Sequence, residues 1–209
     1  MAPGAETLLT FAAASALLAL VPGPDNLFVL AQSALQGRAA GLLVTLGLCS
    51  GLLVHTLAVA AGVAVIFQTS LLAFTVLKGV GALYLLYLAV LAWRTATTPL
   101  PMGGNCRIDA AALYRRGVVM NVTNPKVSLF FLAFLPQFTD PSQGSVPQQV
   151  ALLGGVFILI TILVFGGIAL LAGELGVWLR RSTQWQRRLQ QLSAFLFVAL
   201  ALSLLLASR

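Results

Sequence analysis

The sequence predicts an all-α membrane protein with six transmembrane helices. Of its 209 residues, 59% are hydrophobic and only 8% are charged, whereas ordinary soluble domains carry about 25% charged residues. The apolar residues form six runs, each close to or above the roughly 20 residues that cross a bilayer. Backbone polar groups in lipid are satisfied only by helices or closed barrels, and these runs lack the alternating pattern of barrel strands. Helices are therefore expected.

The predicted spans follow one another as a single transmembrane domain over residues 1–209. They cover about residues 7–35, 39–67, 71–93, 110–137, 148–172 and 189–207. The N-terminal segment has no basic residue ahead of its apolar run, whereas a cleaved signal peptide begins with a positive region. We therefore expect span 1 to stay in the mature protein.

The loops predict the orientation of the chain in the membrane. Nine arginines follow spans 1, 3 and 5, and the opposite side carries only Arg209. The nine are Arg38, Arg94, Arg107, Arg115, Arg116, Arg180, Arg181, Arg187 and Arg188. Positive loops stay in the cytoplasm, so both termini are expected outside. The net charge of +7 is spread over short loops rather than one polar face, which argues against nucleic acid as a partner.

Spans 1 and 4 are each interrupted near their middle. Span 1 contains Pro22, Gly23 and Pro24, and span 4 contains NVTNPK at residues 121–126. Laying the second half of the chain over the first places Pro125 on Pro24 and PKVSLFFL over PDNLFVL. Because three spans separate the two copies, the chain is predicted to form two inverted three-helix repeats, at about 5–94 and 109–207. Paired broken helices of this kind indicate the binding site of a transporter.

The prolines predict what each break can bind. Pro24 fits the first position of a new half-helix, since its φ is already helical and the donor it lacks is not needed there. The exposed N–H groups of that half-helix form a positive dipole end that suits a carboxylate. Gly23 allows a close approach of the backbone. The alternative is a plain proline kink, which is common in membrane helices.

Asp25 and Lys126 are ionisable residues inside apolar runs. An ionisable residue at the bilayer centre costs at least about 2.5 kcal/mol on insertion scales. Helical rise from the flanking arginines places Asp25 roughly 20 Å and Lys126 roughly 15 Å inward. The pseudo-symmetry makes them equivalent, and we expect them to face each other. Two interpretations stay open, a titrating or substrate-binding pair and an ion pair that only joins the halves.

The remaining polar residues of the spans allow two roles each. Lys78 is either a counter-ion to Asp25 or snorkels to the surface, and Tyr84 either lines a cavity or anchors at the interface. His55 is either a proton relay or a structural hydrogen-bonding group. The asparagines at the breaks either satisfy loose backbone groups or hold a solute's amino and carboxyl groups. They are Asn26, Asn121 and Asn124.

The other spans and loops carry simpler signals. Two glycine pairs in and before span 2, Gly37/Gly41 and Gly47/Gly51, have helix-contact spacing. We expect them to pack helices within the chain. The loop after span 4 is rich in turn residues, and its polar side chains are expected to be solvated. These are Asp140, Gln148 and Gln149.

No enzyme, cofactor or metal site is predicted. The sequence has no HExxH, GxSxG, P-loop or Rossmann fingerprint. Cys49 and Cys106 form no CxxC pair, and the chain has one histidine, which argues against a metal cluster or a disulfide. Without a nucleotide site, uphill transport would have to draw on an ion gradient.

Three stretches together resemble the signatures of the lysine-exporter superfamily, in its homoserine/threonine-exporter branch. They are VPGPDNLFVLAQSALQGRAAGL, LKGVGALYLLYLA and GVVMNVTNPKVSLFFLAFLPQF. The resemblance covers nearly the whole chain. The positions that correspond to the family motifs are Pro22, Gly23, Pro24, Asp25, Asn26, Gly79, Tyr84, Leu85, Asn124, Pro125 and Lys126.

The resemblance implies a multi-pass exporter of amino acids or related small metabolites in the bacterial inner membrane, driven by the proton gradient. Its partners would be the solute, protons, the lipid bilayer and, as an open expectation, a second copy in a homodimer. We expect the solute between spans 1 and 4, with proton binding at Asp25 coupling export to the gradient. A passive channel, or an exporter of another small solute or a metal ion, stays as the alternative.

Overall fold

The computed structural model describes residues 3–63, 71–95, 109–181 and 183–206, and Cys106 and Arg107 lie outside these ranges. Within them the chain forms eight α-helices. They are α1 (Ala5–Leu20), α2 (Pro24–Gln36), α3 (Arg38–Ala58), α4 (Leu71–Thr95), α5 (Ala110–Val122), α6 (Pro125–Leu129), α7 (Val146–Arg181) and α8 (Thr183–Leu206). A π-helical turn, Val59–Val63, extends α3, and a π-helical turn followed by a 3-10 turn extends α6 to Phe138.

Both predicted breaks are confirmed. The helices α1 and α2 are bent by 59° relative to each other, and α5 is bent by 47° relative to the segment Pro125–Phe138. Pro24 and Pro125 each occupy the start of the second half-helix, a position at which the new half-helix needs no N–H donor. Spans 1 and 4 are therefore each built from two half-helices that meet at an angle.

The described helices confirm a multi-pass, all-α membrane protein. Two helical segments are each long and apolar enough to cross a bilayer, Arg38–Gly62 and Val146–Ala172. Each bent pair is also long and apolar enough when its two helices are counted as one span. The helices α4 and α8 have 25 and 24 residues, and Lys78–Leu91 within α4 is apolar; that these two helices each cross the bilayer stays a prediction. Leucines point outward along several helices, with Leu9 72% and Leu83 69% exposed, as expected of lipid-facing surface.

An aromatic cluster joins the two broken spans on one side of the breaks. Phe11 of α1 lies 5.7 Å, ring to ring, from Phe130 and 5.2 Å from Phe138. Phe130 in turn lies 5.1 Å from Phe157 of α7. The first half of span 1 thus packs against the second half of span 4. On the other side of the breaks α2 contacts α5. The two inverted three-helix repeats stay a prediction.

The glycines of span 2 lie at helix contacts, as predicted, with one exception. A Cβ atom on Gly47 would collide with the Tyr114 carbonyl of α5, and one on Gly51 would lie 2.6 Å from the Asn121 side chain. Gly37 has no atom within 4 Å of its Cβ position and instead has a φ of +92°. That angle belongs to the turn between α2 and α3 and favours glycine, so the packing role predicted for Gly37 is wrong.

Replacing Gly117 by alanine should destabilise the protein by about 2 kcal/mol, within the range measured for overpacked cores. Gly117 and Gly47 bring α5 and α3 into backbone contact, and a Cβ on Gly117 would meet the Val44 carbonyl. The measurement is thermal unfolding in detergent. Gly155→Ala in α7 is the matched control, because nothing lies within 4 Å of its Cβ position. Equal melting temperatures for the two variants would contradict this close packing.

Gln149 closes the loop between spans 4 and 5, and the expectation that it is solvated is wrong. Its side chain is only 2% exposed. Its Oε1 accepts from the Asp140 backbone N at 2.9 Å, and its Nε2 donates to the Asp140 carbonyl at 2.8 Å. Asp140 itself caps a short 3-10 turn, and hydrogen bonds from the Ser142 hydroxyl and backbone N–H hold the pKa of its carboxyl below the usual value. Buried backbone groups need partners, and here a glutamine side chain supplies them.

Candidate functional site

The two breaks meet inside the protein and bring opposite charges with them. The Asp25 side chain is 2% exposed and that of Lys126 is 4% exposed. Asn26, Asn121 and Asn124 are also buried there. Since buried charges are retained only with partners or for function, the partners of each group decide what the site can do.

Asp25 is held by the second break. It lies in the first turn of α2, where the helix dipole favours a carboxylate. Both of its carboxylate oxygens accept from the Asn124 amide, at 2.7 Å each. The other end of that amide is fixed as well, because Asn124 Oδ1 accepts from the Lys126 backbone N at 3.0 Å. Asn124 therefore caps α6 and clamps α2 with one side chain.

Lys126 is held by the first break. Its ammonium donates to the carbonyls of Leu18 at 3.4 Å and Val21 at 3.5 Å. In an uninterrupted helix the Leu18 carbonyl would accept from the residue four positions on, which is Pro22 and has no N–H. Lys126 takes the place of that missing donor. Its ammonium hydrogen-bonds to these carbonyls rather than to the Asp25 carboxylate, although the two charges still interact through space.

His55 serves the second break in the same way. The helical partner of the Asn121 carbonyl would be Pro125, which again lacks an N–H. That carbonyl accepts instead from the Asn124 backbone N at 3.0 Å and from His55 Nε2 at 3.3 Å. The structural role considered for His55 is therefore a hydrogen bond to the Asn121 carbonyl. A proton relay through His55 stays a prediction.

Two buried acceptors at the breaks have no hydrogen-bond partner among the described residues, Asn26 Oδ1 and Asn121 Oδ1. The Asn26 amide nitrogen donates to the Ala19 carbonyl, whereas its oxygen has no partner in the described part of the chain. Both Asn26 Oδ1 and Lys126 Nζ lie within 4 Å of the Cβ position of Gly23. A buried acceptor without a donor costs about 1–3 kcal/mol, so both oxygens suit a cationic or N–H-bearing ligand.

A small cavity of about 10 Å³ lies beside Asp25, Asn121 and Lys126, close to the lower limit for one water molecule. Its walls come from spans 1, 4 and 5. They are Leu18, Ala19, Asp25, Asn121, Lys126, Val127, Phe157, Thr161 and Phe165. The site is therefore closed in this conformation, and a solute needs the half-helices to move apart.

Comparison with known proteins agrees with this architecture. The LysE type translocator family matches residues 16–208. The chain belongs to that family. The chain is 33% identical to the homoserine/homoserine lactone efflux protein of Salmonella typhimurium, over 81% of the chain and 82% of that relative.

Two further relatives are similar to the chain. An uncharacterized membrane protein of Vibrio cholerae is 31% identical over 91% of the chain and 92% of its own length. The leucine efflux protein of Salmonella typhimurium is 33% identical over 63% of the chain and 62% of its own length. No solved structure matches the chain.

Two residues proposed from the sequence lie away from the paired breaks. Lys78 is half-buried in α4, a helix that packs mainly against α8. Tyr84 lies 5.8 Å, ring to ring, from Tyr87, which is 58% exposed. Neither is among the described residues that line the small cavity. Their roles in binding or coupling stay predictions.

The structure adds Thr161 to the cavity wall. Thr161 is 3% exposed and lies on α7, the helix that the sequence presents as uniformly apolar. It is the sole hydroxyl-bearing residue in the run VALLGGVFILITILVF. A single polar side chain in an apolar run is the sequence feature that could have indicated a place in the site. Phe157 and Phe165, one turn to either side of it, line the same wall and look like ordinary core residues in the sequence.

Proposed function

We propose that this protein is a secondary-active exporter of neutral amino acids or related small metabolites, with its site between the paired breaks. The observation that carries the proposal is the buried Asp25–Lys126 pair, held by the opposite breaks through Asn124 and through the Leu18 and Val21 carbonyls. Relatives named for efflux of homoserine and of leucine support this substrate class.

The charges of the site suit a zwitterion. Asp25 and Lys126 are one negative and one positive group, so a solute with one of each leaves no net charge buried. The solute's carboxylate would bind Lys126 and the N–H groups at the start of α2. Its ammonium would bind Asp25, the Leu18 and Val21 carbonyls and the unpartnered oxygen of Asn26 or Asn121.

In the closed state, the Lys126 ammonium donates to the same carbonyls that would accept from a solute's ammonium. Binding would then exchange one ammonium for another, with Lys126 turning to the solute's carboxylate. Such an exchange avoids leaving the freed carbonyls unpaired at any stage. Proton binding at Asp25 would release the ammonium and couple export to the proton gradient.

The test is uphill export. Cells with and without the protein are fed dipeptides, and intracellular and external amino acids are measured. We expect lower internal levels of one or more neutral amino acids, and loss of that difference when an uncoupler is added. Export that persists down a concentration gradient with the uncoupler present would favour the passive channel. No change in any amino acid would contradict the proposal.

We further propose that both termini face outside and that the chain lies in the bacterial inner membrane. The arginine-rich loops support this orientation. Single cysteines at positions 3 and 208, introduced after replacing Cys49 and Cys106 by serine, should react with an impermeant maleimide added to intact spheroplasts. Reaction only after the membrane is opened would contradict the orientation. A homodimer stays a prediction, to be measured by light scattering in detergent.

A further inference from the structure

A second and larger cavity lies outside the paired breaks. It is an open groove of about 730 Å³ between α2 and α5. Its walls are one face of α5, where residues recur at helical spacing, and one aromatic side chain of α2. They are Phe28, Ala112, Arg115, Arg116, Val119, Met120 and Thr123. We call this the arginine groove.

The arginine groove faces away from the packed side of α5. On the packed side Leu113 and Gly117 are buried and Gly117 meets the Val44 carbonyl of α3. On the open side Val119 is 60% exposed and Val122 is 36% exposed. Exposed valines in the interior half of a transmembrane span contact lipid, so the groove opens towards the bilayer.

The two arginines lie at the depth of lipid headgroups. Arg115 precedes the break residue Asn124 by nine positions, which corresponds to about 14 Å of helix. With the break near the midplane, about 15 Å separates it from the edge of the hydrocarbon. Both arginines are exposed, and a guanidinium binds phosphate oxygens through paired hydrogen bonds. Basic pockets between transmembrane helices are suited to anionic headgroups.

Deeper in, the arginine groove offers apolar surface. Val119, Met120 and Phe28 continue the wall towards the midplane. Thr123 is a polar residue at that end, but its hydroxyl already donates to the Val119 carbonyl at 2.7 Å. A charged solute would gain little binding free energy from this deeper part of the groove, whereas an acyl chain would bury apolar surface there.

We propose that the arginine groove binds one anionic phospholipid, with its phosphate between Arg115 and Arg116 and an acyl chain along Val119, Met120 and Phe28. This site does not depend on the proposed transport function. The groove nevertheless lies next to both breaks, since Phe28 lies one turn after Asp25 and Thr123 precedes Asn124. A bound lipid therefore contacts the two half-helices that must separate for a solute to enter.

The experiment counts lipids on the full-length protein in detergent by native mass spectrometry, with added phosphatidylglycerol or phosphatidylcholine. We expect one phosphatidylglycerol to be retained in preference to phosphatidylcholine. The variant R115Q/R116Q should bind it at least about tenfold more weakly, because its charge-assisted hydrogen bonds are lost. R187Q/R188Q is the matched control, since it removes two exposed arginines from α8 and should retain the lipid.

Several outcomes would overturn the proposal. Unchanged phosphatidylglycerol binding in a folded R115Q/R116Q, or equal binding of both lipids by the original protein, would do so. Displacement of the lipid by millimolar glycerol phosphate would mean that the groove is a simple anion site. Reduced amino-acid flux of R115Q/R116Q in phosphatidylcholine vesicles, with lipid binding unchanged, would make the groove a route for the solute. Thermal unfolding of each variant shows whether it is folded.

Discussion

Replacing Asp25 by asparagine should abolish amino-acid export while the protein stays folded in the membrane. Asparagine has nearly the same shape and keeps one acceptor for the Asn124 amide that now donates to both carboxylate oxygens at 2.7 Å. It cannot hold a solute's ammonium by charge, nor bind a proton. Loss of a charged hydrogen bond is worth about 1.5–3 kcal/mol, so solute affinity should fall roughly 10–100-fold, and coupling should be lost entirely.

The measurement separates these two effects. Purified Asp25→Asn protein is reconstituted in vesicles, and exchange of a labelled neutral amino acid is compared with accumulation driven by a pH gradient. Asp140→Asn is the matched control, because Asp140 caps a short 3-10 turn in the loop between spans 4 and 5, and its replacement should leave both activities unchanged. Normal gradient-driven accumulation by Asp25→Asn would contradict the role of this carboxyl in coupling. Normal exchange by Asp25→Asn would contradict its role in binding the solute.

The breaks could be predicted because proline acts locally. Pro24 and Pro125 each remove a donor at a fixed place in the chain, so the positions of the half-helices follow from the sequence. The described helices begin and end within a few residues of the predicted runs, except that α7 and α8 are longer, and residues 64–67 of predicted span 2 lie outside the described residues. The same rule identifies which carbonyls lose their partners. Leu18 and Asn121 each precede a proline by four positions, and each carbonyl accepts from a side chain of another helix.

The identity of those side chains could not be predicted, because it depends on how distant helices pack. The sequence suggests that Asp25 and Lys126 face each other. In the structure, Asp25 instead accepts from the Asn124 amide, and Lys126 donates to the Leu18 carbonyl. Nothing local marks His55 as the partner of Asn121, or Phe157 as a wall of the site. Gln149 shows the same limit in a loop, since its burial depends on the backbone groups of Asp140.

Replacing Lys126 by alanine should have the second large effect, on both export and stability. The ammonium holds the Leu18 and Val21 carbonyls and offsets the buried charge of Asp25. Removing one member of a buried pair costs about 3–5 kcal/mol, because the other charge is left uncompensated. We expect a lower melting temperature in detergent and no export in reconstituted vesicles.

A double variant distinguishes a binding pair from a pair that only joins the two halves. Asp25→Asn with Lys126→Gln is neutral and close in shape, so it relieves the uncompensated charge and should regain most of the stability lost in Lys126→Ala. If the two charges bind the solute's ammonium and carboxylate, export stays abolished in this stable protein. If export returns with stability, the pair is structural and the solute binds elsewhere. Because melting and flux are measured on the same preparations, misfolding cannot be mistaken for loss of binding. With Lys126→Gln measured alone beside Asp25→Asn, the coupling energy of the pair follows from the double-mutant cycle.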